Sequence, residues 1–240
     1  MGKNGFSDHT SRQLNETLEG IHERVMAMGG LVEQQLGDAL AALISGDMDA
    51  AERLQATGET INAMDVELDN RCVTILARRQ PAASDLRLVI AVIKAVADLE
   101  RIGDEAERIG RMALRADQAS AYKDLLAGLH ELGSGVRASL RDALDSLARL
   151  DAEQAVAMVR RDVITDRRYA KLLSRIMERM REEPEAVREL MKLMWAARSL
   201  ERIGDRCCNL CEHVIYLVKG KTVRHTSPEQ LGIRAGVEQG

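Results

Sequence analysis

Six consecutive residues occur twice in this chain, 101 positions apart: Leu99-Glu100-Arg101-Ile102-Gly103-Asp104 and Leu200-Glu201-Arg202-Ile203-Gly204-Asp205. Self-similarity at a long fixed spacing marks a repeated structural unit, so the chain reads as two copies of one fold in tandem. Everything around the two copies is written for helix. Only three prolines occur among 240 residues, and the rest is rich in Ala, Leu, Met, Arg and Glu, which lose little side-chain freedom in a helix. Apolar residues recur at three and four spacing: Val89, Val92, Val96, Leu99, Ile102, Ala106 and Ile109 form one stripe. Leu125, Leu129, Leu132, Val136, Leu140, Leu144 and Leu147 form another. No comparable run alternates with period two, so no strands are expected.

The breaks between helices are legible. Asp49 to Glu52, after Ser45-Gly46-Asp47, and Asp151 to Gln154 have the spacing of a capping box at a helix start. Pro81 and Pro184 end two helices, because the residue before proline is pushed out of the helical region. The apolar period lapses from Ala116 to Ser120. Six helices result, at about 8–45, 49–79, 83–116, 120–149, 151–181 and 185–219. Short connections make neighbours antiparallel, and a helix of about 30 residues spans about 45 Å. The expected fold class is all-α: two tandem three-helix bundles, 1–118 and 119–220, with six long antiparallel helices related by the repeat. A polar tail, 221–240, is expected to be mobile.

Composition excludes several functions. Thirty-four basic and 38 acidic side chains are too balanced for a general polyanion binder, and 2% aromatics are too few for nucleic-acid stacking platforms, so no nucleic-acid partner is expected. Four cysteines, three of them at Cys207, Cys208 and Cys211, do not form a secreted disulfide framework. The polar stretch from Met1 to Gln13 lacks the apolar core of a signal peptide, and no uncharged stretch nears the roughly 18 residues of a membrane span. A cytoplasmic protein is expected.

Within each hexapeptide the two acids are four residues apart, so they project about 40° apart from one helix face, at the margin of the apolar stripe. A carboxylate at that margin is costly without a partner. The intervening Gly103 and Gly204 each cost a helix interior about 1 kcal/mol relative to alanine, so they imply close approach of a neighbouring helix or a ligand. One reading pairs Glu100 and Asp104 with Arg101, Arg108, Arg71 or Arg78. The other is a site for a hard cation held by carboxylate oxygens from two or more helices, built on Glu100, Asp104, Glu201 and Asp205. Asp65, Asp69, Asp162 and Asp166 supply further i, i+4 acidic pairs on the second helix of each unit. Their register between the repeats is open: Asp162 and Asp166 align with Asp65 and Asp69, or slide to Gly58 and Asn62.

Other constellations carry less. Cys208 and Cys211 form a C-x-x-C without the further ligands zinc needs and read as buried small side chains. Glu19-x-x-His22 is half of a carboxylate di-iron signature with no second half. No nucleophile elbow, phosphate-cradling glycine loop or Ser, His and Asp arrangement is present, so no enzymatic activity is expected.

The stretch Arg79-Gln80-Pro81-Ala82-Ala83-Ser84-Asp85-Leu86-Arg87, the two LERIGD copies and Tyr216-Leu217-Val218-Lys219-Gly220 closely resemble the PhoU family, accessory regulators of bacterial phosphate-specific transport. The resemblance covers nearly the whole chain. It implies tandem three-helix bundles, a homodimer, and a non-catalytic adaptor that represses the phosphate-starvation response. In that role the protein links the ATPase of a phosphate ABC transporter to a membrane sensor histidine kinase and meets the membrane only through those partners. It also implies a multinuclear metal centre of iron, zinc, manganese or magnesium on acidic motifs that map to Glu100, Asp104, Glu201 and Asp205. The alternative on the same acids is a carboxylate-bridged metalloenzyme or a metal store. The second half departs from the pattern, with Glu185-Ala186-Val187-Arg188 after its proline in place of Asp-Leu-Arg, and Asn62 stands where the family has an acid. Asn209 could add an oxygen ligand where its counterpart Arg108 could not, so the two sites are expected to differ.

Overall fold

The computed structural model describes residues 4–238 apart from Met48, Gln80, Ala82, 115–117, Ala119 and His225. The first unit comprises α1 (Asn4–Ser45), α2 (Ala50–Arg79) and α3 (Ala83–Arg111). After a 3-10 turn at Ser120–Tyr122 the second unit runs through α4 (Lys123–Arg149), α5 (Ala152–Arg161), α6 (Val163–Glu182) and α7 (Val187–Lys219). Among the described residues there is no strand. α1, α2 and α3 pack on one another, as α4, α5, α6 and α7 do.

The two units share a single apolar core, joined where α3 packs along α7 and α1 against α4. Every residue of both expected stripes is buried. At about 1.5–3 kcal/mol for each large aliphatic side chain, those stripes supply much of the folding free energy. A reciprocal contact joins α1 to α4: a Cβ on Gly29 would lie 2.5 Å from Leu144 Cδ2, and one on Gly133 would overlap Leu40 Cδ2. Each leucine thus fills the notch opened by the other helix's missing side chain.

Helix starts follow the acids. Asp151 accepts the backbone N–H groups of Glu153 and Gln154, both at 2.9 Å, and satisfies two donors of the first turn of α5. Asp151→Ala is expected to cost about 1 kcal/mol, read as a lower urea midpoint at unchanged slope. An unmoved midpoint would mean that solvent replaces the cap at no cost. At α2 the capping carboxylate is Asp47, two residues before the Asp49 of the sequence reading: its Oδ1 accepts from Asp49 at 3.0 Å and Ala50 at 3.2 Å.

Three expectations about the elements need correction. The third helix ends at Arg111 instead of continuing to 116, and the lapse after it lies mostly outside the described residues. The single helix expected over 151–181 is interrupted at Asp162, whose N–H turns to Val159 O at 3.2 Å, an i to i−3 bond that tightens the ladder locally. The tail is not a free polar segment. It carries α8 (Pro228–Ala235), which packs on α5 and buries Leu231 and Ala235, with Val223 buried ahead of it. An ion pair between Arg160 and Glu238 fastens its far end.

Candidate functional site

The close approach inferred for the two glycines is present. A Cβ on Gly103 would lie 3.1 Å from Gln35 Oε1 and 3.3 Å from Ile61 Cδ1, and one on Gly204 would lie 3.3 Å from Asp162 Oδ1. Gly103 therefore lets α3 approach α1 at Gln35 and α2 at Ile61, Gly204 lets α7 approach the junction of α5 and α6 at Asp162 and Thr165, and the flanking acids come with them. In the first unit Glu100 of α3 lies beside Asp104 of its own helix and faces Asp65 of α2, with Asp69 one turn further along acting on Asp65. In the second, Glu201 and Asp205 of α7 meet Asp166 of α6 and Asp162 at the helix break.

The open register is resolved by a third alignment. Asp65 faces Glu100 and Asp166 faces Glu201, so the 101-residue offset of the hexapeptides continues through the second helices. Asp162 then occupies the place of Ile61, and Ala170 that of Asp69. The two patches are built from different acids.

Burial and mutual repulsion dominate both patches. Burial first, then the charges of Asp104 and Asp65, push the Glu100 carboxyl up, while Arg101 opposes them. Burial and Asp205 push Glu201 up, against Arg198, and burial and Asp166 push Asp205 up. Asp162 is raised by burial, with the Cys208 thiol partly offsetting it by donating to Oδ2 at 3.2 Å. These acids are not a set of solvated salt bridges. Arg71 and Arg108 are engaged by Glu67 and Glu105, and neither Glu100 nor Asp104 makes an ion pair among the described residues. Glu201 does pair with Arg198, at 2.5 Å.

The second patch has two buried carboxylate oxygens without a hydrogen-bond partner, Asp162 Oδ1 and Glu201 Oε2. Unpartnered anionic oxygens beside two further carboxylates are the donor set of a hard cation. The fit is one of chemistry rather than a preformed shell: among the described residues no three His, Cys, Asp or Glu side chains are grouped closely enough to hold a metal. Asn209 is drawn away from the patch, its Nδ2 donating to Asp98 Oδ1 at 3.3 Å. The cysteines are structural: Cys72, Cys207 and Cys211 are buried and free, and burial pushes the Cys211 thiol up to about 12.

The sequence reading missed the charged seam between the units. Asp98, 5% exposed, receives Arg206 Nη1 at 3.2 Å and Asn209 on Oδ1, with His213 Nε2 at 2.9 Å from Oδ2. Seven residues along α3, Glu105 Oε1 accepts from Arg108 at 3.1 Å and from Arg202 at 3.0 Å. The only local signal was an acid inside the apolar run from Val92 to Leu99.

The duplication itself has counterparts in a known domain family. The family model for the PhoU domain matches the chain twice, at residues 25–113 and 129–214, each match spanning one LERIGD copy. The chain belongs to the PhoU family. A PhoU homolog of Pseudomonas putida, a phosphate-specific transport system accessory protein, is 44% identical over 94% of this chain and 88% of its own length. The PhoU accessory protein of Escherichia coli K12 is 42% identical over 96% and 95%. The crystal structure of PhoU from Pseudomonas aeruginosa superposes with a TM-score of 0.81 at 43% identity, covering 86% of this chain and 99% of that one. PhoU from Streptococcus pneumoniae, a phosphate transport system regulatory protein, gives 0.77 at 27% identity, covering 88% and 99%. These PhoU chains share the two-unit helical architecture described above, and this PhoU-family chain shows among its described residues no helix long and apolar enough to cross a membrane.

Proposed function

We propose that this protein is a cytoplasmic accessory regulator of phosphate-specific transport, a non-catalytic adaptor that keeps the phosphate-starvation response off when phosphate is plentiful. The observation that carries the reading is the match of both halves to the PhoU domain, in relatives named for that transport system. In this role it couples the ATPase of the phosphate ABC transporter to a membrane sensor histidine kinase, as a homodimer that reaches the membrane through those partners. The unpartnered Asp162 and Glu201 oxygens support a divalent cation or iron on the second patch, with Asp166 and Asp205 completing the oxygen set. Asp65, Glu100 and Asp104 form the lesser site. A bound cation would cancel the repulsion among the carboxylates and stiffen the junction of α5, α6 and α7.

Deleting the gene tests the reading. Phosphate-starvation genes are expected to become constitutive in phosphate-rich medium, with repression restored by the wild-type chain and weakened for Glu201→Gln with Asp205→Asn. Normal repression in the deletion strain would reject the regulatory role. Redox or hydrolytic turnover abolished by Glu100→Ala and Asp104→Ala would replace it with a metalloenzyme.

A further inference from the structure

The charged seam opens to solvent as a cleft of about 930 Å³, lined from the first unit by Arg101 and Arg108 and from the second by Arg198, Arg202 and Arg206. Five guanidinium groups face three carboxylates there, those of Asp104, Glu105 and Asp205, in a chain whose overall charge is negative. The arginines are held in place without being used up. Arg108 and Arg202 share one oxygen of Glu105, Arg206 is fixed by Asp98 and Arg198 by Glu201. Each guanidinium carries five N–H donors, so those anchors leave several free on each. Arg101 makes no ion pair among the described residues.

Next to the cleft lies a second hollow of about 260 Å³, and Arg108, Arg198 and Arg202 line both. Its wall is Trp195, the only tryptophan of the chain, 51% exposed. Half-exposing so large an apolar ring has a cost that packing against a neighbour would remove. Planar guanidinium forks chelate phosphoryl oxygens in pairs, and an indole face stacks on a planar heterocycle. A larger arginine cleft continuous with a smaller compartment walled by one aromatic ring matches a ligand with several phosphates at one end and a base at the other. The size of the cleft is that of a small-molecule site rather than of a protein footprint.

We propose that this cleft binds a nucleoside polyphosphate, with the base on Trp195 and the phosphates across Arg101, Arg108, Arg202 and Arg206. Because α3 and α7 each supply arginines, the bound anion bridges the two units and tightens the seam between them. Asp104 and Asp205 line both this cleft and the carboxylate patches, so a polyphosphate here and a cation there meet the same side chains.

Calorimetry with ATP, in chelator so that no cation bridges phosphate to the carboxylate patches, tests the assignment on the full chain. Saturable binding with quenching of Trp195 fluorescence is expected. Trp195→Ala should weaken ATP about tenfold and leave inorganic triphosphate unchanged, since only the base is lost. Arg101→Ala, at an exposed position with no ion pair to lose, should weaken both about tenfold. No binding of ATP at millimolar concentration would overturn the proposal, as would Arg101→Ala affinity equal to wild type. Inorganic triphosphate binding as tightly as ATP, with Trp195→Ala indifferent, would overturn the nucleotide assignment and leave an inorganic polyanion site.

Discussion

Asp98→Ala is expected to lower stability by about 3–5 kcal/mol, because it strips the partner from charged and polar groups that the fold has already buried. Arg206, Asn209 and His213 all converge on this one α3 carboxylate from α7. Burial pushes the Asp98 carboxyl up, but His213, Asn209 and Arg206 together outweigh it and hold the group below its ordinary 3.8. A carboxylate lowered in this way contributes stability that is present above its unfolded pKa and disappears as the pH falls through the folded one. The gap between wild type and Asp98→Ala should therefore be wide at neutral pH and close below about pH 3–4. Denaturant unfolding across that range measures it. A gap that stays constant into acid would show that the loss is one of packing and not of charge.

The second large effect is cation dependence. Glu100, Glu201, Asp65, Asp162 and Asp205 all have carboxyls raised above their ordinary values of 4.5 or 3.8, first by burial and further by neighbouring acids, with the Cys208 thiol partly offsetting the rise at Asp162. A raised carboxylate favours the fold at low pH, and that contribution is lost as the pH rises through the folded pKa. In chelator the protein should lose part of its stability from about pH 4 upward. A divalent cation at about 100 times its dissociation constant should restore about 2.7 kcal/mol at neutral pH, a rise of roughly 5–10 °C in melting temperature. Asp162→Asn removes a charge that has one buried oxygen without a hydrogen-bond partner. It should stabilise the chelated protein by about 1 kcal/mol and blunt its response to metal. A melting temperature indifferent to manganese, magnesium, iron and zinc alike would reject cation binding on these patches.

What could be read from the chain was what is local. The stripe from Val89 to Ile109 and that from Leu125 to Leu147 declare themselves because each buried residue lies three or four positions from the next. Asp151 declares a helix start because its acceptors' partners are two and three residues away. Placing Glu100 and Asp104 at the core margin needed only the helical wheel and two glycines. The break at Asp162 has no proline or glycine to announce it, and it falls where an acid replaces the equivalent of Ile61. The buried apolar residues of α8 are Leu231 and Ala235, with Val223 ahead of it, too few to set up a period. The Asp98 seam joins residues more than 100 positions apart, so nothing in either neighbourhood predicts the other.

Leu144 in the notch of Gly29 and Leu40 in the notch of Gly133 are the same contact made twice with the roles exchanged. That reciprocity is what two identical subunits present across a twofold axis, so the chain is in effect a dimer made covalent. A true homodimer of one such unit must carry two equal sites, since every substitution appears on both sides. Once the copies share a chain that constraint is gone. One half can place Asp162 and Asn209 where the other has Ile61 and Arg108, and a single molecule can hold two unlike acidic surfaces around a common core.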